Sequence, residues 1–154
     1  MSAILDNLAR GYLGGFKGIP EGTLVGELIP DFTPDQPWGE ATLGSDYHRA
    51  RFIVGNSVTG RRFRVWHDLD FRVLLVDFEY PGLTETPEEL LEDFADPDAV
   101  LDASDDLFAH LKERVYARRG LSVISGPDDA FVVRLIAFAP TTVRTYVDRL
   151  RVNP

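Results

Sequence analysis

The chain has 154 residues, of which 44% are hydrophobic and 11% aromatic, a composition that is typical of a globular protein and excludes an intrinsically disordered one. Its formal net charge of -9 disfavours nucleic acid as a partner, because a phosphate backbone is bound by a basic surface. It has no cysteine, which excludes disulfides, thiolate nucleophiles and zinc–thiolate sites. We expect one cytoplasmic domain over residues 1–154 with no membrane partner, because no apolar run is long enough to span a bilayer.

Residues 1–40 predict a short helix followed by an irregular arm. Ser2 is a suitable N-cap for a helix over residues 3–10. Glycine and proline recur in residues 11–39, which we call the arm. We expect the arm to wrap over a sheet without regular structure, apart from one short strand at residues 23–29.

Residues 41–80 predict three strands. The first covers residues 47–54. The other two, residues 62–67 and 71–80, are rich in Val, Phe, Trp and Tyr and are joined by a polar turn. The last strand is apolar on both faces in its first half, which predicts a central position in the sheet with side chains packed on both sides.

Residues 85–119 predict two acidic helices. The first begins at Thr86, where Glu89 completes a capping box, and ends near Phe94. The second starts at residue 98 or 104 and runs to residue 119, because apolar residues recur at helical spacing. Those residues are Leu107, Phe108, Leu111, Val115 and Tyr116.

Residues 121–154 predict a hairpin, formed by residues 121–125 and 130–138, and a C-terminal helix that begins at Thr141 or Thr142. Consecutive strands joined by short turns favour antiparallel pairing, with the helices collected on one face. The predicted fold class is therefore α+β, with a mainly antiparallel sheet of about five to six strands and three to four helices packed largely on one face.

The turn at residues 67–70 is where a histidine stands among carboxylates. His67, Asp68 and Asp70, with Glu79 nearby, fit a general base with its orienting partner or a pair of metal ligands, which predicts a small hydrolase or a metal-dependent enzyme. Turn formation alone also accounts for both aspartates, because such side chains bond their own backbone. No other spacing of histidines, glycines or acids matches a metal or phosphate site, so we expect no cofactor and no bound metal.

Charge is segregated along the chain. No Lys or Arg lies between Arg72 and Lys112, an interval that holds 12 of the 25 acids. One interpretation is a solvated surface that favours solubility. The other is a negative potential complementary to a basic cleft on another protein, with an aromatic residue as anchor. The candidate partner-binding residues are Glu85, Glu88, Glu89, Glu92, Asp93, Phe94, Asp96 and Asp98.

Small, acidic, cysteine-free α+β domains without a catalytic constellation resemble the immunity proteins of bacterial toxin systems. This resemblance is one of overall character and carries over no site residue. It implies a non-catalytic inhibitor that neutralises a basic protein partner such as a toxin, and this is the function that we expect. One alternative is the enzyme that uses the turn at residues 67–70. The other is a small-ligand carrier in which a curved sheet and the arm enclose an apolar cavity.

Overall fold

The computed structural model describes residues 2–152, and one antiparallel sheet of eight strands dominates it. In chain order the strands are β1 (Gly39–Leu43), β2 (His48–Asn56), β3 (Arg62–His67), β4 (Val73–Glu79), β5 (Ala99–Ala103), β6 (Leu111–Tyr116), β7 (Leu121–Ser125) and β8 (Val132–Phe138). Across the sheet their order is β1-β2-β3-β4-β8-β7-β6-β5. β4 therefore lies between β3 and β8, in the central position that its two apolar faces predict.

The helices are short. α1 (Ala3–Arg10) begins at Ser2, whose Oγ accepts a hydrogen bond from the Leu5 N–H, and ends at Gly11 in the left-handed conformation, with φ 74°. The other helical segments are α2 (Val25–Leu28), α3 (Pro87–Leu90), α4 (Val143–Thr145) with its π-helical continuation Tyr146–Leu150, and 3-10 turns at Ala117–Arg119 and Pro127–Asp129.

The predicted fold class is wrong. The sheet has eight strands instead of five to six, and no layer of three to four helices packs on it within residues 2–152. The second acidic helix is also wrong, because its residues form β5, β6 and a 3-10 turn. The reason lies at Glu113, which is buried on the same side of β6 as Leu111 and Val115. A charged residue in that row hides the two-residue alternation by which a strand is recognised.

Several other predicted elements are confirmed. β2, β3 and β4 lie where the sequence predicts them, β7 and β8 form the predicted hairpin, and Thr142 caps α4. The strand predicted at residues 23–29 is wrong, since α2 occupies that stretch and Leu24 forms an isolated bridge with Arg72. β1 is not predicted, because it carries a single large apolar side chain, Leu43.

Side chains pack against both faces of the sheet. α1, α2 and the arm cover one face, which we call the helix face, and Leu5, Leu8 and Ile19 are fully buried there. The opposite face, which we call the inner face, is partly covered by residues 143–152, which we call the C-terminal segment. There the ring of Tyr146 stacks on Phe138 with centroids 4.7 Å apart.

The C-terminal segment ties the two edges of the sheet together. Val152 forms a β-bridge with Leu43 in β1, and the Gly44 N–H donates to the carbonyl of Arg151. The Arg151 guanidinium donates to the main-chain carbonyl of Asp102 in β5. Because β1 and β5 are opposite edges, the sheet curves around this segment, and the inner face is concave.

Candidate functional site

Part of the acidic segment forms a groove with a volume of about 720 Å³, which we call the acidic groove. α3, residues 91–97, β6 and the turn Pro127–Asp129 contribute its lining. Six of the lining side chains are acids, whereas Arg114 is the single base among them. The acids are Glu88, Glu89, Glu92, Asp96, Asp128 and Asp129.

Arg114 does not neutralise the acidic groove as a whole, because Asp129 takes both of its terminal nitrogens. Nη1 lies 3.1 Å from Oδ1 and Nη2 lies 2.8 Å from Oδ2, and the Ser125 hydroxyl donates to the same carboxylate. The hydrogen bonds from Arg114, with that from Ser125, hold the pKa of the Asp129 carboxyl well below its ordinary value although burial opposes them. Within the described chain, the other five acids of the groove form no ion pair.

Glu89 differs from the other acids of the groove, because it caps α3. Its Oε1 accepts hydrogen bonds from the N–H and the hydroxyl of Thr86, at 3.1 and 3.0 Å, and its own N–H donates to Thr86 Oγ1. These bonds lower the pKa of the Glu89 carboxyl. The capping box is the predicted one, although the helix that it starts has a single turn.

Phe94 supplies an apolar side to the acidic groove. Its half-buried ring packs edge-on against Tyr116, with centroids 5.0 Å apart. The Arg119 guanidinium lies 3.8 Å from the centroid of the same ring, and Arg119 Nε donates to the carbonyl of Phe16. Phe94 is thus held in place by the chain's own contacts.

The remaining predicted binding residues are not among the side chains that line the acidic groove. Asp93 is exposed and Glu85 is half-buried. Asp98 is exposed and accepts a hydrogen bond from the Arg118 N–H at 3.2 Å. The structure therefore brings Glu88, Glu89, Glu92, Phe94 and Asp96 together and leaves these three outside.

The turn at residues 67–70 lines a separate cavity of about 440 Å³. The His67 ring is buried against Phe71, with centroids 5.3 Å apart, and its Nδ1 donates to the main-chain carbonyl of Asp68 at 2.8 Å. The Asp68 carboxylate accepts the N–H groups of Asp70 and Arg72, both at 2.9 Å. Asp70 pairs with the Arg72 guanidinium at 3.3 Å. Both aspartates are thus bonded within the turn and not to the imidazole.

The enzyme hypothesis for this turn stays a prediction. Within residues 2–152, no three His, Asp or Glu side chains are grouped so that they could hold a metal ion. Glu79, the further carboxylate of that hypothesis, instead pairs with Arg134 on the inner face, at 3.1 Å. The contacts of the turn are those of a structural element.

A group of charges that the sequence analysis does not predict lies at the centre of the inner face. Arg64 stands opposite Asp77 in the pairing of β3 with β4, and Glu79 stands opposite Arg134 in the pairing of β4 with β8. Arg134 Nε lies 3.2 Å from Asp77, and Arg64 Nη1 lies 3.7 Å from Glu79. Two bases and two acids therefore form one network, which we call the charge network.

Asp77 is the buried member of the charge network, with 1% of its surface exposed. Burial raises the pKa of its carboxyl to about 6, although Arg134 and Arg64 act to lower it. A carboxyl shifted this far is typical both of functional clefts and of buried ion pairs. The signal in the sequence is the presence of Asp77 and Glu79 inside a strand predicted to be central, next to the strand that carries Arg64. Arg134 comes from β8, which only the topology places beside that strand.

A second buried acid, Glu113, also lies on the inner face. It is 0% exposed and accepts hydrogen bonds from the hydroxyls of Ser122 and Tyr146 and from Arg151 Nε, the last at 2.7 Å. Burial, with the nearby Glu113 carboxylate, raises the pKa of the Tyr146 hydroxyl well above its ordinary value. Glu113 thus joins β6, β7 and the C-terminal segment.

Comparison with known proteins shows a similarity of fold. No protein-family model matches the chain, and no curated protein matches it significantly. The crystal structure of a DUF4309 family protein (YjgB) from Bacillus subtilis subsp. subtilis str. 168 is similar, with a TM-score of 0.52, 16% sequence identity, and coverage of 86% of this chain and 99% of that chain. At this identity the likeness concerns the fold alone. Among the described residues, no helix is both long and apolar enough to cross a membrane.

Proposed function

We propose that the chain is a non-catalytic binding module whose acidic groove takes a basic segment of a protein partner. The observation that supports this is the charge of the groove, where Glu88, Glu92 and Asp96 are exposed and form no ion pair within the described chain. Acids left without cations of their own attract a basic surface, which accelerates association and selects the partner by charge.

The lining also favours a particular chemistry for the bound segment. Lys and Arg side chains carry apolar stems, which pack on apolar surface while their charged ends meet carboxylates. Phe94 and Pro97 provide such a surface beside Glu92 and Asp96. A short stretch of alternating basic and apolar residues therefore fits the acidic groove better than a compact cluster of charge.

An immunity or inhibitor protein is the form of this function that we favour. A protein that covers the basic active site of a toxin needs an acidic surface and no chemistry of its own. The net charge of -9 and the accumulation of unpaired acids in one groove support this form of the function. The partner would be a basic protein and not a nucleic acid, whose phosphates the acids would repel.

Charge reversal in the acidic groove tests the proposal. The triple variant Glu88→Lys, Glu92→Lys, Asp96→Lys changes three exposed acids of the groove and leaves the capping residue Glu89 and the acids of the turn Pro127–Asp129 unchanged. A matched control, Glu21→Lys, Asp31→Lys, Asp35→Lys, changes the net charge equally at exposed positions outside the groove. We expect the groove variant to weaken binding of a fluorescent peptide of alternating Lys and Leu by at least about tenfold, and the control by about twofold or less. Fluorescence anisotropy at about 0.05 M and about 0.5 M salt measures both.

Equal losses in the two triple variants would show attraction by net charge alone and would overturn the proposal. The immunity form needs a second experiment, in which a toxin recovered with the wild-type protein from its source cell is assayed for activity. We expect the wild-type protein and the control variant to inhibit the toxin and the groove variant to fail. If the activity of the recovered partner were unchanged by the protein, the proposal of a binding module would stand, but the proposal of an inhibitor would be rejected.

A further inference from the structure

A cavity of about 510 Å³ lies on the inner face, away from the acidic groove. Its size falls within the range of small-molecule sites, roughly 300–1,000 Å³. Much of its lining is apolar, and the sheet, the β5–β6 loop and the C-terminal segment all contribute to it. The apolar side chains are Ala41, Phe52, Trp66, Leu107 and Val152. This cavity is distinct from the one expected between the sheet and the arm, since the arm covers the opposite face.

Trp66 provides an unused hydrogen-bond donor at this cavity. The residue is 3% exposed, and its indole N–H has no hydrogen-bond partner within the described chain. A buried tryptophan N–H usually finds an acceptor, so a ligand acceptor that reached this buried N–H would satisfy a donor that is otherwise unpaired. The Phe52 ring lies 4.7 Å from that of Trp66 at an angle of 46°, and together they form an aromatic wall.

The charges that line the cavity largely compensate one another. Glu79 forms ion pairs with both Arg134 and Arg64, and Arg134 also forms an ion pair with the buried Asp77. The 3.7 Å separation between Arg64 and Glu79 is too long for a hydrogen bond, so the Arg64 N–H groups are further donors. A full negative charge on a ligand would meet the acids of the β5–β6 loop, and a full positive charge would meet the two arginines. A neutral ligand avoids both costs.

The β5–β6 loop is held over the cavity by Tyr80. The Tyr80 hydroxyl donates to Asp105 at 2.7 Å, and the same carboxylate accepts the N–H groups of Leu107 and Phe108. Tyr80 has φ 48°, an uncommon conformation for a residue with a side chain. Leu107 is 71% exposed at this position, so an apolar side chain stands at the mouth of the cavity.

We propose that this cavity binds a neutral, flat aromatic or heteroaromatic molecule that carries a carbonyl or hydroxyl acceptor. The ring system packs against Phe52, Trp66 and Leu107. The acceptor takes the Trp66 N–H and a guanidinium N–H of Arg64. The inference does not depend on the acidic groove, and the two sites are tested by different variants.

Prodan, a neutral naphthalene with a propionyl group, is a suitable probe, and dimethylaminonaphthalene is its carbonyl-free control. The Trp38→Phe variant leaves Trp66 as the only tryptophan, because the chain has two. In that background we expect prodan to quench Trp66 emission in a saturable manner. Anionic anilinonaphthalene sulfonate should bind more weakly. A linear response without saturation, or tighter binding of the sulfonate, would overturn the proposal.

Two variants distinguish a built site from general adsorption. Trp66→Phe keeps an aromatic ring and removes the donor, so it should weaken prodan about fivefold and leave the carbonyl-free probe unchanged. Leu107→Arg should weaken both probes at least about tenfold, whereas Leu69→Arg, at an exposed leucine outside this cavity, should change neither. These are measured by probe fluorescence, with circular dichroism to verify the fold. Equal effects of the two arginine variants would overturn the site, and this test holds even if Trp66→Phe does not fold.

Discussion

The acidic groove and the charge network contain the same kind of side chain in opposite situations. In the groove, Glu88 and Glu92 are exposed and have no cation of their own within the described chain. On the inner face, Asp77 and Glu113 are buried and each meets an arginine of the chain. An exposed, unpaired acid keeps its hydration and acts at a distance, whereas a buried acid loses its hydration and depends on the contacts that replace water. The first kind is free to meet a partner, whereas the second kind raises or lowers the stability of the fold according to how well those contacts replace water.

The comparison is most sharply tested by truncating one acid from each region. Glu113→Ala removes the acceptor of two buried hydroxyls and the partner of Arg151, so we expect the free energy of unfolding to fall by about 3 kcal/mol. Glu92→Ala removes an exposed, unpaired carboxylate and should change it by less than about 0.5 kcal/mol. Urea denaturation at neutral pH measures both.

Glu113→Gln is the control for this experiment, because it keeps the size of the side chain and one acceptor oxygen. It should recover part of the loss seen with alanine. A Glu92→Ala variant that is destabilised as strongly as Glu113→Ala would mean that the groove acids also hold the fold. The distinction between the two regions would then be lost.

The charge of Asp77 also changes the free energy of unfolding, by an amount that depends on pH and is somewhat smaller than the effect of Glu113→Ala. Burial raises the pKa of this carboxyl from 3.8 to about 6, so the folded protein binds the proton more tightly than the unfolded chain. The wild-type protein therefore loses stability as pH rises from about 4 to about 7, relative to Asp77→Asn, which cannot ionise. A difference of two pKa units corresponds to about 2–3 kcal/mol. Between about pH 4 and about pH 7, we therefore expect the free energy of unfolding of Asp77→Asn to increase by this amount relative to that of the wild-type protein.

Denaturation of both proteins at several pH values checks this expectation, because all other titrating groups are common to the two. Asp35→Asn, at an exposed position, should follow the wild-type curve across the same range. If Asp77→Asn instead lost stability relative to the wild-type protein as pH rose, the ion pair with Arg134 would outweigh burial. The charge network would then resemble an ordinary stabilising salt bridge.

The contrast between exposed and buried residues also explains which elements of the fold could be predicted from the sequence. Strands rich in β-branched and aromatic residues, such as β3 and β8, can be recognised from the sequence. The pattern fails in β6, where the buried Glu113 reads as a surface residue and favours a helical interpretation. It also fails where a strand is mostly polar, as in β1. The two failures have different causes. β6 buries a charged residue, although a sequence pattern assumes that charge means exposure, whereas β1 is an edge strand with a single buried residue and too few apolar residues to give a pattern.

The acidic groove and the inner-face cavity differ in how much of each could be predicted from the sequence. The acidic groove is built mainly from residues close together in the chain, so the absence of Lys and Arg between Arg72 and Lys112 already indicates it. The inner-face cavity combines β1, β2, β3, β4, β8, the β5–β6 loop and the C-terminal segment, and only the full strand order places all of them together. Non-local sites of this kind leave almost no local signal, apart from acids within a central strand.

The smallest expected effect separates recognition from capping inside the groove itself. Glu89→Ala removes the hydrogen bonds to Thr86 and should lower the free energy of unfolding by about 0.5–1 kcal/mol, whereas Glu88→Ala should leave it unchanged within about 0.3 kcal/mol. A double-mutant cycle with Thr86→Ala isolates the contact, because the second substitution should cost much less once the first has been made. Strictly additive losses would mean that Glu89 acts on the helix through its charge alone. It would then belong with the exposed acids that we propose for partner binding and not with the cap.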